Sequence, residues 1–294
     1  MPPTSPGARL RAAWAQEPIM IPGVWSALVA RMAEQTGFQA VYLSGAALSA
    51  SHAVPDIGLL TLNEFVDAAR SITQATSLPL LCDADTGFGE AVNVERTVKL
   101  FEAAGVAGIH LEDQQLPKRC GHLSGKTLVP VDAMVSKLRA AVAARRDSSF
   151  VIIARTDASG VEGLDSAMSR AKEYLAAGAD AIFPEALETP DEFARFARDI
   201  KAPLLANMTE FGKSPNLDFA TLAGMGYRMV LFPVTALRMA LKATERTLME
   251  LKAKGHQRDL LPEMLTRQEL YDLLGYKEYE ARDRAHSGLT SRDR

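Results

Sequence analysis

Residues that could perform chemistry follow several short apolar segments of this 294-residue chain. The segment "LPLLCDADTGFG" (78–89) carries Asp83 and Asp85 two positions apart, a spacing that places both carboxylates on one face of a strand. Two such carboxylates repel each other unless a cation lies between them or one of them is protonated. Oxygen ligands without a nearby His–Cys set favour Mg²⁺ or Mn²⁺ over Zn²⁺. The alternative is that one aspartate caps a helix and the other is solvated.

The segment "GIHLEDQ" (108–114) carries a third carboxylate. His110, Glu112 and Gln114 share one strand face, because side chains alternate along a strand. Glu112 can therefore join the two aspartates as a direct or water-bridged metal ligand. An Asp-x-Asp pair alone is a weak signal, and the glutamate on the next strand strengthens it.

Arg155 follows the buried-strand sequence "FVIIA" and needs an anionic partner. One candidate is Glu185, which would form an internal ion pair. The other is a substrate carboxylate, which a guanidinium can bind through two parallel hydrogen bonds. The sequence leaves both interpretations open.

Cys120 lies in the polar stretch "LEDQQLPKRCGHLSGK" (111–126). We call residues 118–126 of this stretch the lid. The neighbours of Cys120 in the chain are basic: Lys118, Arg119 and His122. Positive charge favours a thiolate, and Gly121 and Gly125 would allow the segment to move as a lid. The thiol could serve as a nucleophile or as a proton donor, and the alternative is a solvated loop with an incidental cysteine. Cys82 lies on the strand face opposite the aspartates and is expected in the core.

These side chains need elements that bring them together, and about eight short apolar runs in the sequence provide them. The runs are "IMIPGVW" (19–25), "AVYLSG" (40–45), "LPLLCDADTGFG" (78–89), "GIHLEDQ" (108–114), "FVIIARTDA" (150–158), "AIFPEA" (181–186), "PLLANMTEFG" (203–212) and "MVLFPV" (229–234). Near-continuous apolar runs are typical of parallel strands covered on both faces. Nearly every run ends in polar residues, so these would meet at the carboxyl end of a barrel.

Helical patterns separate the runs. Residues 93–105 show helical apolar spacing followed by glycine, and residues 165–178 open on Asp165 as a plausible N-cap and close on Gly178. Eight strand–helix units without a linker predict a (β/α)8 barrel. The rival is an open doubly wound sheet, but no glycine-rich phosphate fingerprint follows the first strand.

The C-terminal segment exceeds the eight units. Residues 235–253 predict a long helix and residues 262–283 a further amphipathic helix. We therefore expect a single domain, 1–294, in which 235–294 is a helical segment packing on a partner subunit. The alternative is a helix folded back on its own barrel.

Composition limits the function classes. A net charge of -3 and a pI near 6.0 do not indicate binding to nucleic acid or to a membrane surface. No run of 18 apolar residues, the length of a membrane-spanning helix, occurs in the sequence. Two isolated cysteines fit a reducing compartment, and the N-terminus lacks the apolar core of a signal peptide. We expect a cytoplasmic protein with a small-molecule substrate.

Several motifs together resemble a known family. The sequences "YLSG", "DADTGFG", "LEDQ", "KRCGH", "ARTDA", "FPEA" and "NMTEFG" occur in that order. They closely resemble the methylisocitrate lyases of the isocitrate lyase/phosphoenolpyruvate mutase superfamily, over nearly the whole chain. The Lys/Arg–Cys–Gly–His motif marks the carbon–carbon lyases of that superfamily, whereas its phosphonate mutases lack the cysteine.

The resemblance implies a (β/α)8 barrel whose eighth helix is swapped between subunits, in a homotetramer built as a dimer of dimers. The implied reaction is cleavage of 2-methylisocitrate to pyruvate and succinate, in the methylcitrate cycle of propionate catabolism. Mg²⁺, with Mn²⁺ as an alternative, would be held by Asp83 and Asp85, with Asp56 and Glu112 in its water shell.

The resemblance also assigns roles at the other strand ends. Cys120 would be the proton donor and Tyr42 the base for the substrate hydroxyl, while Arg155 and the lid with His122 supply positive charge. The implied substrate contacts are Ser44, Gly45, Ala46, Cys120, Gly121, Arg155, Glu185, Asn207, Met208, Thr209, Arg238 and Arg267. From the residues alone, the last two arginines would be surface residues. Some members have Gly where this chain has Ala46, which we expect to adjust substrate preference at most.

Alternative functions remain within and outside the family. An isocitrate or dimethylmalate lyase would use the same parts. An oxaloacetate decarboxylase or a phosphonate mutase would not need a thiol acid. A non-catalytic barrel that senses 2-hydroxy-tricarboxylates would not need the full set of metal ligands and acid.

Overall fold

The computed structural model describes residues 4–287, within which eight short strands occur. They are β1 (Ile19–Pro22), β2 (Val41–Leu43), β3 (Leu80–Asp83), β4 (Gly108–Glu112), β5 (Val151–Thr156), β6 (Ala181–Pro184), β7 (Leu205–Asn207) and β8 (Met229–Phe232). Each strand falls inside one of the eight apolar runs, so the strand prediction is confirmed.

The strands close into a barrel. Strands β2 to β6 pair in chain order, and β1, β8 and β7 form a second group. The backbone bridges Gly23–Tyr42 and Ile182–Leu204 join these two groups at both edges. Every pairing is parallel, so the predicted (β/α)8 barrel is confirmed and the open doubly wound sheet is excluded.

Helices follow the strands along the chain. They are α1 (Pro6–Gln16), α2 (Ala27–Gln35), α3 (Gly45–Ser51), α4 (Leu62–Thr73), α5 (Ala91–Ala103), α6 (Val131–Ala144), α7 (Ser159–Glu162), α8 (Leu164–Ala176), α9 (Pro190–Asp199), α10 (Phe219–Met225), α11 (Thr235–Lys254), α12 (Arg267–Leu274) and α13 (Tyr276–Ser287), with a 3₁₀ turn at Arg258–Glu263. None of the helices formed by residues 4–287 is long and apolar enough to cross a membrane.

Two helix predictions need correction. Asp165 does not cap α8: Gly163 is the N-cap and Asp165 lies in the first turn, where its charge favours the helix dipole. The single helix predicted over 262–283 is two helices, because Thr266 starts α12 with a capping box and Gly275, at φ 68°, ends it.

The core has two layers separated by the strands. The inner layer fills the barrel with side chains such as Leu81 and Ile153, and α1 covers it with Leu10 and Trp14. The outer layer lies between strands and helices and includes Cys82, which is fully buried as predicted. Because side chains alternate, residues two positions beyond an inner-layer residue also face the barrel interior.

The chain divides into two compact units, one up to residue 238 and one from residue 239. The first contains the whole barrel. The second contains most of α11 together with the 3₁₀ turn, α12 and α13. The second unit begins at residue 239, close to residue 235, where the helical C-terminal segment was predicted to begin. The prediction that the chain forms a single domain stays a prediction.

Candidate active site

Polar side chains face the interior of the barrel at the carboxyl ends of neighbouring strands. Asp83 follows the inner-layer residue Leu81 by two positions and is paired in register with His110. Glu112 is likewise paired in register with Arg155 on the next strand. All four polar side chains are buried, so they interact in a region of low dielectric.

A cavity of about 100 Å³ opens at this end of the barrel. Most of the predicted site residues line it: Tyr42, Ser44, Ala46, Asp56, Asp83, Cys120, Gly121, His122, Arg155, Glu185, Asn207, Thr209 and Arg238.

The other predicted residues lie around this cavity or away from it. Gly45 and Glu112 are buried, and Asp85 lines a second cavity. The side chain of Met208 packs in the outer core layer, because it alternates with Asn207 and so faces away from the cavity. Arg267 is the first residue of α12, in the second unit, and its role stays a prediction.

The two aspartates are held differently, which corrects the prediction that both project from one strand. Strand β3 ends at Asp83, and Asp85 has a left-handed backbone with φ 45°. The Asp83 carboxylate accepts hydrogen bonds from the backbone N–H of Asp85 (2.9 Å) and of Gly45 (3.1 Å). A left-handed non-glycine residue costs free energy and is common at functional sites.

The electrostatics of the pair follow the expected rule that one carboxylate is protonated or a cation intervenes. Burial and the charge of Asp83 raise the pKa of Asp85 to about 7. The pKa of Asp83 falls to about 2, because His110 and Lys118 more than offset its burial. The ammonium of Lys118 lies 2.7 Å from Asp85 and also contacts Asp56. The lid therefore supplies a cation to these carboxylates.

The oxygen atoms of this group suit Mg²⁺. Oε1 of Glu112 is buried without a hydrogen-bond partner in the described structure, and Oδ1 of Asp85 has the Lys118 ammonium 2.7 Å away. Within residues 4–287, no three His, Cys, Asp or Glu side chains converge tightly enough to hold a metal by themselves. Mg²⁺ commonly uses one or two carboxylates and completes its shell with water and substrate, so the residues fit this ion.

Arg155 is anchored by carboxylates from its own and neighbouring strands. Its Nε lies 3.0 Å from Asp157 and 3.4 Å from Glu112, and its Nη1 lies 3.5 Å from Glu185. The internal ion pair with Glu185 is thus observed, although Asp157 is the nearer partner. The guanidinium also lines the cavity, where it can attract a substrate carboxylate.

Glu185 connects Arg155 with the lid. Its Oε1 lies 2.8 Å from Nε2 of His122, and the amide of Asn207 donates to both of its oxygens at 3.3 and 3.4 Å. Nδ1 of His122 accepts from the backbone N–H of Lys213 at 3.0 Å. Burial would raise the pKa of Glu185, but Arg155 and His122 lower it below its ordinary value. Glu185 is therefore an ionised anchor for the lid.

The prediction that basic neighbours favour the Cys120 thiolate is wrong. Burial raises the pKa of the thiol above its ordinary value, and Glu185 acts in the same direction. The basic side chains have other partners: Lys118 contacts Asp56 and Asp85, Arg119 donates to the Ser124 carbonyl, and His122 contacts Glu185. At neutral pH Cys120 keeps its proton, as a general acid must.

Tyr42 lies in the cavity wall, but its electrostatics argue against the predicted role as a base. Burial and the charge of Asp83 raise the pKa of Tyr42 well above its ordinary value, so the phenol stays protonated. Its hydroxyl lies 2.7 Å from Nε2 of His110, whose pKa burial lowers to about 4. A neutral phenol oriented by a neutral imidazole is suited to donating a hydrogen bond.

Sequence reasoning missed two parts of this site. His110 received no role, although its alternation with Glu112 places it inside the barrel. The cavity also has an apolar wall formed by Phe183, Leu231 and Pro233. Apolar residues inside strand runs carry no mark that separates a substrate wall from the core.

The chain is similar in sequence to known proteins over most of its length. The chain is 53% identical to a 2-methylisocitrate lyase of Aeropyrum pernix over 279 residues, 95% of this chain and 90% of that one. It is 49% identical to a 2-methylisocitrate lyase of Bacillus subtilis, with 90% of this chain and 88% of that one covered.

Solved structures with the same fold belong to proteins that are named for several different reactions. A 2,3-dimethylmalate lyase of the PEP mutase/isocitrate lyase superfamily superimposes with a TM-score of 0.91 at 36% identity, covering 99% of this chain and 98% of its own. An oxaloacetate acetylhydrolase with a bound inhibitor gives 0.92 at 35% identity, covering 98% and 99%. A phosphonopyruvate hydrolase complexed with oxalate and Mg²⁺ gives 0.86 at 34% identity, covering 94% and 97%. The family model for phosphoenolpyruvate phosphomutase matches residues 10–252, and the chain therefore belongs to this family, within the PEP mutase/isocitrate lyase superfamily.

Proposed function

We propose that the protein is a carbon–carbon lyase that cleaves 2-methylisocitrate to pyruvate and succinate. The fold does not decide among the family's reactions, because lyases and hydrolases superimpose on it equally well. Relatives that are 45–53% identical over most of the chain are 2-methylisocitrate lyases. The observation that carries the proposal is a half-buried Cys120, whose thiol pKa is raised by burial, at the wall of a cavity that also contains oxygen ligands and a guanidinium.

The metal of this reaction would be Mg²⁺, with Mn²⁺ as an alternative. Asp83 and Asp85 would hold it, and Asp56 and Glu112 would accept hydrogen bonds from its water molecules. Support comes from the oxygen-only donors, the unpartnered buried Oε1 of Glu112 and the Mg²⁺ bound to the related phosphonopyruvate hydrolase. When bound, Mg²⁺ supplies Lewis-acid polarisation of the substrate's hydroxyl and carboxylate oxygens.

The side chains account for the movement of charge and protons. The ionised carboxylate of Glu185, at the cavity wall, accepts the tertiary hydroxyl proton. The electrons of the adjacent carbon–carbon bond then pass into the succinate fragment, and the oxygen-bearing carbon becomes the carbonyl of pyruvate. Arg155 stabilises the resulting enediolate-like dianion electrostatically. Cys120 transfers its thiol proton to the carbanionic carbon, which completes succinate and leaves a thiolate to be reprotonated. Tyr42 donates a hydrogen bond to a substrate oxygen.

The apolar wall gives the preference for a methylated substrate. Phe183, Leu231 and Pro233 line the cavity together with the polar residues. An additional methyl group in such a pocket contributes roughly 1–3 kcal/mol of discrimination. Some cleavage of isocitrate is therefore expected alongside the main activity.

The experiment that tests the proposal is product analysis with Mg²⁺ and five substrates supplied separately. We expect pyruvate and succinate from 2-methylisocitrate, and slower release of glyoxylate from isocitrate. Cleavage of 2,3-dimethylmalate, oxaloacetate or phosphonopyruvate in preference to 2-methylisocitrate would overturn the assignment. The product of the favoured substrate would then name the correct activity.

The exposed apolar surface of the second unit supports the proposal that the protein is a homo-oligomer. This unit exposes many apolar side chains, namely Met239, Leu241, Leu248, Met249, Leu251, Leu261, Met264 and Leu265. Such a surface needs cover in water, and a second copy of the chain is the simplest source. We propose the homotetramer with swapped helices, acting in the methylcitrate cycle. The cytoplasm suits its two free cysteines, Cys82 and Cys120.

A further inference from the structure

Lys126 is a lid residue whose side chain points inward. The side chain is only 2% exposed, although it lies in a loop that is polar along its length. Its Nζ donates to Oδ1 of Asp157 at 2.8 Å and to the backbone carbonyl of Gly121. Lys126 does not line the cavity, so its ammonium does not touch a substrate there.

Asp157 is a rigid anchor for that ammonium. It is fully buried at the carboxyl end of β5, and its backbone N–H donates to Asp113 at 2.9 Å. The same carboxylate accepts from Nε of Arg155 at 3.0 Å and from Nη2 at 3.3 Å. Asp157 therefore holds two cations, one that faces the cavity and one that belongs to the lid.

The other end of the bridge lies next to Cys120. Gly121 follows the cysteine directly and packs against Arg155 and Glu185, so closely that a Cβ atom there would lie 2.5 Å from Nη2 of Arg155. A hydrogen bond to the Gly121 carbonyl thus fixes the backbone that carries the thiol. The bond comes from a charged donor and lies in a buried region, where charge-assisted bonds are strong.

We propose that Lys126 is a positioning residue: its ammonium, buried between Asp157 and the Gly121 carbonyl, latches the lid onto β5 and thereby holds Cys120 over the cavity. The latch also ties the position of the thiol to that of Arg155, since both depend on one carboxylate. The consequence for catalysis rests on the lyase activity proposed above, whereas the latch itself does not.

The test is the rate at which iodoacetamide alkylates Cys120 in the full-length chain, with and without Lys126→Met. Cys82 is fully buried, so alkylation of the folded protein reports on Cys120. The substitution removes the hydrogen bonds from the ammonium to the Gly121 carbonyl and to Asp157, which keeps Arg155 as its remaining cation. We expect alkylation to accelerate roughly tenfold or more as the lid lifts. Lys137→Met is the matched control, because it removes another buried ammonium that donates to a carbonyl, that of Thr86, outside the lid.

An unchanged alkylation rate in folded Lys126→Met, or an equal increase in Lys137→Met, would overturn the latch. If Lys126→Met does not fold, Lys126→Gln is measured in the same way, because its amide can still donate but carries no charge. With 2-methylisocitrate, Lys126→Met should lower kcat and leave KM nearly unchanged, since the residue does not contact substrate. Faster alkylation in a chain that cleaves no 2-methylisocitrate would refute the proposed function and leave the latch standing.

Discussion

A methyl group at Gly121 tests whether the lid must seat against Arg155 and Glu185. In Gly121→Ala the new Cβ would lie 2.5 Å from Nη2 of Arg155 and even closer to Cγ of Glu185. Favourable contacts between such atoms begin near 3.5 Å, so the lid or the ion pair has to move by about 1 Å. Displacing a catalytic group by about 1 Å can cost on the order of 100-fold in rate.

The assay is the steady-state rate of pyruvate release from 2-methylisocitrate with Mg²⁺. We expect kcat/KM of Gly121→Ala to fall on the order of 100-fold, with little change in Tm because the lid can lift away from the barrel. Gly224→Ala is the matched control, because a Cβ at Gly224 in α10 meets no atom within 4 Å. Wild-type kinetics in Gly121→Ala would refute the inference that the closed lid is the reactive arrangement.

Two further predictions concern the metal. Asp85→Ala should abolish metal-dependent turnover, and turnover that EDTA leaves unchanged would contradict the assignment of the metal ligands. The pH dependence follows from the pKa of Asp85, which burial and Asp83 raise to about 7. As pH falls through about 7, Asp85 becomes protonated and the proton competes with Mg²⁺, so calorimetry at pH 6 should show weaker Mg²⁺ binding and proton release. Equal affinity and no proton release at pH 6 and pH 8 would show that this carboxyl is not a ligand.

The barrel could be predicted because its pattern is repeated eight times. Runs such as 108–114 and 150–158 contain β4 and β5, and the polar residues at their ends do meet at the carboxyl end of the barrel. The sequence does not reveal the break near Gly275, because helix-forming residues stand on both sides of a single glycine, while the capping box at Thr266 is a local signal of only four residues.

The site was predicted less completely. The protonation state of a side chain in a folded protein depends on which charged groups its neighbours point towards and on how deeply the side chain is buried. The sequence shows that Lys118 and His122 are near Cys120, but not that both turn to carboxylates on other elements. The expected thiolate is therefore replaced by a protonated thiol. Lys126 was missed for the same reason, since nothing in a polar loop distinguishes a lysine that points inward from one that points to water.

The most direct measurement of the central claim is the kcat of Cys120→Ser at saturating 2-methylisocitrate and Mg²⁺. A serine hydroxyl is a far weaker acid in nearly the same volume, so the account predicts a loss of about 10²–10⁴-fold in kcat, with the fold and Mg²⁺ binding retained. A variant that releases pyruvate and succinate at the wild-type rate would contradict the claim that Cys120 delivers the proton.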